Sequence, residues 1–520
     1  MVITLGACST KTSDEAVGET LYLNNGIEPS SLNPSIGFDS VSWTPLNNLM
    51  EGLTRLDAKS VAKPAVAEKW DISDDGLTYT FHLRKDAKWS NGDSVVAEDF
   101  VFAWKMMLDP SATPPSPAAF LAYFIEGAEA FNSGEGTADD VNITAVNDKT
   151  LEVVLGASTG FFLDLLTNPA FFPINHKVAG KDPDWHTEAE SFVANGPFML
   201  ESWEHESEMV FAKNKEYWDA DAVKLGKVHW AMVNDTNTQY QMFKNGELDT
   251  GSIPPEMSEE LIGGDNVFIG DYGGLEFYRF NVTQEPFQNK NIRQAFAFAI
   301  NRDDIAEFVV KNGVEPAFGF ISPGFTSPSG SDFRDANGDL VTLDADKAKQ
   351  LLEEGMKEEG YEELPPVVLS FNTSDSNKLV AETLQDMFIE NLGIKVTLEN
   401  QEWEVFSEAQ KAIELQFSRS SFINDYNDPV NFLESFITDS YMNRTGWANA
   451  DYDELIANGK AETDEAKRWE YMYDAEKMLA DEMIIMPIRF YNSVALEAEG
   501  VTGILRHAVG YMDLKYADKK

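Results

Sequence analysis

The chain has 520 residues, 43% of them hydrophobic and 12% aromatic, and carries 88 acidic against 40 basic residues for a net charge of −48. That length calls for two or more lobes, and that field repels phosphate backbones and anionic lipid, which argues against a nucleic-acid or membrane-surface binder. The single cysteine, Cys8, excludes a disulfide within the chain and any metal site built on cysteine clusters; the histidines are scattered, and no apolar run approaches the roughly 18 residues of a membrane span.

At the N-terminus, Leu5-Gly6-Ala7-Cys8 and the polar run over 9–18 resemble the lipobox that ends a bacterial lipoprotein signal peptide. The resemblance implies that residues 1–19 are a signal remnant and flexible tether, and that Cys8 is lipid-modified and anchors the chain to a membrane surface. Only seven residues precede Cys8, with no basic segment, so the expectation is that part of the signal is missing.

Asp74-Asp75-Gly76 and Asn91-Gly92-Asp93 are turn signals. Between them Tyr79, Phe81 and Leu83 alternate with Thr80, His82 and Arg84, which predicts a half-buried strand with His82 on its polar face. Ala97–Leu108 has helical spacing and acidic residues in its first turn, and Asp109-Pro110 stops it. Asn245-Gly246 reads as a helix C-cap. From about Tyr278 the chain changes character. Lys290–Ile300 is a helix with one apolar face, and Pro365–Phe371, Lys378–Asn391 with Gly393, and Ile394–Leu398 read as strand, helix and strand. A unit of that length implies a parallel crossover, hence an α/β lobe. The fragment Asp335 to Asp339 fails the calcium-loop pattern, because its Gly338 comes too early and position twelve is Asp346; it reads as a surface turn.

The stretch Arg419–Leu433 carries the densest chemistry. Leu415–Arg419 alternates as a strand, and Asp428-Pro429 ahead of Phe432 and Leu433 reads as a helix start, with Asp as N-cap and Pro first. Between them Asp425 stands with Phe422 and Tyr426 where the strand runs out. A carboxylate there suits a small cationic group, or an ordinary turn or cap; spacing alone leaves both open.

Pro64–Trp70, Trp89–Asp93, Glu98, Asp99, Phe100 and Trp104, with Asn214–Asp219, Tyr240–Asp249 and Asn301–Ile305, resemble bacterial solute-binding proteins of the peptide/nickel family across nearly all of residues 20–515. Val96 departs from the family's Thr or Ser, a hydroxyl that would cap the helix at a gain of about 1 kcal/mol. The resemblance implies an α/β, two-lobed periplasmic-binding-protein-like fold with an extra subdomain in the first lobe and a ligand cleft between lobes joined by two hinge strands. The expected divisions are 20–277 for the first lobe (subdomain about 50–190), 278–487 for the second, and 488–520 returning to the first. It also implies an extracellular binder, on the membrane face of a Gram-positive cell or in a periplasm. Such a binder is a monomer without cofactor or catalysis, and feeds an ABC permease and its ATPase subunits.

Within the family the Asp425–Pro429 stretch is most similar to the oligopeptide-binding branch. That implies an oligopeptide held extended, its α-ammonium on Asp425, its backbone paired with Ser421 or Ile423, its first pocket lined by Phe422, with Tyr426 among the peptide contacts and Arg419 near a ligand side chain or carboxylate. The positions that hold the peptide C-terminus in enteric relatives match Val310, Asn377 and Gln410, none charged at neutral pH. The expectation is therefore longer peptides with an unanchored end, or a replacement cation such as Arg444. A signalling-peptide receptor, or a carrier of dipeptide, nickel complex or oligosaccharide, is the alternative on the same fold. Clustered histidines for bare metal are lacking, and Asp425 and Asp428, three residues apart across a Pro cap, read as anchor and cap rather than as a hydrolase dyad.

Overall fold

The computed structural model describes residues 19–520 apart from Pro328 and Asp439; Cys8 and the tether lie outside the described residues. Strand β1 (Thr20–Asn24) opens the fold. A four-stranded antiparallel sheet follows, made of β2 (Ala67–Ile72), β3 (Thr78–Leu83), β4 (Ile143–Asn147) and β5 (Thr150–Val154) in the order β2-β3-β5-β4. The alternation predicted for β3 is present: Tyr79, Phe81 and Leu83 are buried, and His82 meets Asp71 at 2.7 Å on the outer face. Strands β6 (Phe198–Glu204), β7 (Glu208–Lys213) and β8 (Lys227–Ala231) then join β1 in the order β1-β8-β7-β6, with β1 parallel to β8.

Helix α1 (Ala97–Leu108) packs on the β2–β5 layer and lacks a side-chain cap at Val96. Asp99, in its first turn, compensates. Its carboxylate accepts the Val96 N–H at 2.9 Å, the Trp89 indole N–H at 3.0 Å and the His176 backbone N–H at 3.1 Å, and lies 2.6 Å from His176 Nδ1. One buried carboxylate thus closes the helix and pins two flanking segments.

The second lobe is built on a six-stranded sheet. Its strands are β9 (Val267–Phe280), β10 (Val368–Asn372), β11 (Thr397–Gln401), β12 (Phe417–Ile423) and β13 (Ile485–Glu497), with the short pair Thr250–Gly251 at one edge, in the order Thr250–Gly251, β13, β9, β12, β10, β11. Helix α2 (Asp375–Leu392) makes the crossover between the parallel strands β10 and β11, and Gly393 ends it at φ +72°. The second of these strands starts later than the Ile394–Leu398 expectation, because Val368 pairs with Thr397 and carries the ladder on to Gln401. Phe280 and Phe417 stack at 4.7 Å, with Phe287, Phe296 and Phe388 around them.

Two long strands, β9 and β13, run through both lobes. Val267–Asp271 pairs with Asn492–Leu496 on the first-lobe side, and Leu275–Arg279 with Ile485–Phe490 on the other, with a register shift between Asp271 and Leu275. Gly274 sits at that shift. A Cβ there would stand 2.6 Å from the Ile423 side chain and 2.9 Å from the Phe422 carbonyl oxygen, so the crossing admits only glycine.

Asp99→Ala is expected to lower the unfolding free energy by about 3 kcal/mol, since several buried donors lose their acceptor. A urea titration reads this, and an unchanged midpoint would refute the hub.

Candidate functional site

β12 pairs with β9 along its whole length, from Phe417 opposite Phe280 to Ile423 opposite Gly274. On its other side β10 pairs only with Phe417 and Ser418. From Arg419 to Ile423 the outer edge of β12 is therefore unpaired. The Arg419 carbonyl points to that edge, because it accepts the Gln410 amide at 3.1 Å, whereas the Asn424 N–H turns inward to the Gly273 carbonyl at 2.7 Å. By the two-residue period of a strand, Ser421 and Ile423 present their N–H and C=O groups to the open edge as well.

Asp425 follows directly. Its N–H donates to Asn431 Oδ1 at 2.8 Å, and its carbonyl accepts Asn168 Nδ2, from the first lobe, at 3.1 Å. Clamped at both ends, its carboxylate faces a pocket of about 520 Å³ lined by Phe120, Ser421, Phe422, Ile423, Glu434 and Met442. Phe422 meets Phe432 edge-on at 5.2 Å, and Tyr441 stands on the rim with 82% of its surface exposed. Burial pushes the Asp425 pKa up to about 6; the Asn431 amide pulls against the rise and the charge on Glu434 adds to it. Glu434 has its own partners, Lys460 at 2.8 Å and the Tyr426 hydroxyl at 2.9 Å. Among the described residues no lysine or arginine pairs with Asp425.

Two of the expected contacts lie elsewhere. Tyr426 is buried and stacks on Phe161 at 5.0 Å and 8°. Its ring fills an apolar gap between the lobes and does not line the pocket. Arg419 is outside the pocket wall: its Nε meets Glu276 at 2.9 Å and it donates to the Tyr491 hydroxyl at 3.1 Å, while Arg489 holds the other Glu276 oxygen at 2.6 Å. Glu276 is 1% exposed. Burial works to raise its pKa, yet Arg489 and Arg419 together hold it below the usual carboxylate value. Asp428 does more than start a helix. It accepts the Val430 N–H at 2.9 Å and is ion-paired with the buried guanidinium of Arg468.

Val310 and Asn377 line a second pocket with Glu276 and Arg489. Asn377 is turned to the Asn372 carbonyl at 3.0 Å. Asn431, Asn168 and Glu434 were not singled out from the sequence. Asn168 lies 257 residues from its partner, and nothing local marks the other two.

The family model described as bacterial extracellular solute-binding proteins, family 5, middle, matches residues 61–444. The dipeptide-binding protein DppE of Bacillus subtilis is 55% identical over 98% of this chain and 93% of that protein. The oligopeptide-binding protein OppA of the same organism is 38% identical over 94% and 91%. Among solved structures, the unliganded open form of the periplasmic murein tripeptide binding protein MppA matches with a TM-score of 0.86 at 28% identity, covering 97% of this chain and 98% of that one. Listeria monocytogenes OppA bound to peptide gives 0.72 at 28% identity, over 97% and 99%.

Glu276→Gln leaves two half-buried guanidinium groups without their shared counter-charge and is expected to cost about 3 kcal/mol. A melting temperature within a degree of the unsubstituted protein would contradict that.

Proposed function

We propose that this chain, which belongs to the bacterial extracellular solute-binding proteins of family 5, captures peptides in extended form and holds their free amino end on Asp425. The family's members are binders and not enzymes, and the relatives named above are dipeptide-, oligopeptide- and murein-tripeptide-binding proteins. The observation that carries the reading is a half-buried carboxylate that pairs with no lysine or arginine among the described residues, set at the end of an unpaired strand edge. A peptide supplies both missing partners. Its ammonium makes a charge-assisted bond with the half-buried carboxylate, and its backbone completes the ladder of β12 as an added strand. Main-chain pairing through Ser421 and Ile423 is indifferent to side chains. Phe422 and the rim aromatics give the first side chain an apolar wall, while the wider pocket leaves room for water and hence for many residue types.

The lobes close on the ligand by bending β9 and β13 near Gly274. The division at this hinge runs 20–277, with a subdomain about 50–190, then 278–487, then 488–520. Cys8 tethers the chain to the outer membrane surface, and the closed form hands its peptide to a permease and ATPase. Among the described residues no helix is long and apolar enough to cross a membrane.

Asp425→Asn is expected to weaken peptides with free amino ends by about 2–4 kcal/mol and to leave the fold intact. Titration calorimetry with a free and an N-acetylated peptide tests it, and equal affinity for both in the unsubstituted protein would remove the anchor. The pH profile follows from the same group. Only the carboxylate pairs with the ammonium, so affinity holds steady from about pH 6 up to roughly pH 8, where the amino group loses its proton, and falls roughly tenfold per unit below pH 6. A flat profile from pH 7.5 to 5 would assign the anchor to another residue.

A further inference from the structure

Two acids line the Asp425 pocket, Asp425 itself and Glu434. The rest of its wall is neutral, with Phe422, Ile437 and Met442 supplying apolar surface and Ser435 and Ser440 supplying hydroxyls. Among the described residues no lysine or arginine lines it. Arg444 stands outside the wall and meets Met442, a terminal nitrogen lying 3.8 Å from the sulfur. Once a ligand's ammonium answers Asp425, the charge left facing the pocket is that of Glu434.

That charge is held in place from the far side. The Tyr426 hydroxyl donates to Glu434 Oε1 at 2.9 Å, and Lys460 donates to Oε2 at 2.8 Å. Lys460 belongs to a second cavity of about 550 Å³, which it lines with Phe124, Ile456 and Asp453, and its ammonium lies over the Phe124 ring at 5.3 Å. Ile437 lines both cavities. The Glu434–Lys460 pair is therefore a partition, with its acid facing the ligand slot and its base facing away. Its side chains keep 25% and 31% of their surface exposed, so neither is locked in. Asp453 stands seven residues before Lys460 on the helix Ala450–Ala461, two turns away on the same face, so the second cavity offers the lysine an acid of its own. A cation that enters the slot takes Glu434 in exchange for Lys460, one ion pair for another. A carboxylate that enters loses water and meets Glu434 with no cation to offset it.

We propose that Glu434, balanced from outside by Lys460, sets the charge preference of this slot for the ligand's first side chain. Basic side chains enter and replace Lys460 on Glu434, neutral ones are accepted on the apolar wall, and acidic ones are rejected. This rests on the amino-end reading above, because an ammonium fixed on Asp425 is what brings the first side chain to Glu434. Discrimination comes from an unfavourable contact built against one class of ligand, and it is confined to one position, since the backbone pairing along β12 is blind to side chains.

Titration calorimetry of the full chain at neutral pH with the tripeptides Gln-Ala-Ala, Glu-Ala-Ala, Lys-Ala-Ala, Ala-Gln-Ala and Ala-Glu-Ala tests it. Glu-Ala-Ala is expected to bind about tenfold or more weaker than Gln-Ala-Ala, a larger penalty than separates Ala-Glu-Ala from Ala-Gln-Ala, and Lys-Ala-Ala at least as tightly as Gln-Ala-Ala. Glu434→Gln is expected to bring Glu-Ala-Ala to within about threefold of Gln-Ala-Ala and to leave the second-position pair unchanged. Lys460→Met, which frees Glu434, is expected to favour Lys-Ala-Ala over Gln-Ala-Ala by about tenfold. Equal penalties for the acid at both positions assign the effect to the overall negative field of the chain and overturn the proposal, as does a first-position penalty that Glu434→Gln leaves intact. If N-acetylation of Gln-Ala-Ala still abolishes binding in those cases, the Asp425 reading survives alone. Should Glu434→Gln fail to fold, the two positions compared in the unsubstituted protein and the response of Lys460→Met decide. No binding by any of these peptides overturns both readings.

Discussion

Glu276 is where the three strands that matter meet. It lies on β9, takes one guanidinium from β12 and another from β13, and so ties the strand bearing the site to the strand that crosses between the lobes. Backbone ladders alone leave neighbouring strands free to slide and twist. A buried acid gripped from both sides fixes their register beside the crossing. Glycine at 274 complements it, because the crossing is too tight for a side chain.

On that rigid strand the protein keeps a carboxylate in an unfavourable place. Moving an anion out of water without a partner costs free energy, and the raised pKa of Asp425 is the sign of it. The surroundings prevent escape. Asn431 and Asn168 hold its backbone at both ends, the Phe161–Tyr426 stack seats the loop against the first lobe, and Asn427 donates to the Ser60 carbonyl at 2.5 Å. The loop is thus ordered ahead of any ligand, and a cation that arrives there relieves a cost already met in folding. Preorganisation of this kind favours affinity, because little remains to be ordered on binding.

Local pattern revealed a good part of this. Alternation gave β3, turn residues gave its bounds, and the strand–helix–strand spacing gave the α/β second lobe. Asp425 stood out by resemblance, with only slight help from its position after a strand. The remainder was hidden for a definite reason. Tyr426 looks like a ligand-facing aromatic until Phe161 is brought over it, and Arg419 looks free until Glu276 and Tyr491 arrive from strands 143 and 72 residues away. Side-chain commitments of that range are decided by which strands become neighbours, and no window of sequence contains them. The same applies to Gln410, whose neutrality reads as a loss until it is seen bridging Arg419 and Arg444.

The unpaired edge of β12 has a consequence beyond ligand capture. A run of outward N–H and C=O groups accepts any extended chain, including one from a neighbouring copy of the same protein. Here the run is bounded by a half-buried charge at one end and a side chain bonded across the ladder at the other. A long strand with no amino terminus to offer satisfies neither limit. The features that bound this edge therefore also guard the protein against self-templated assembly.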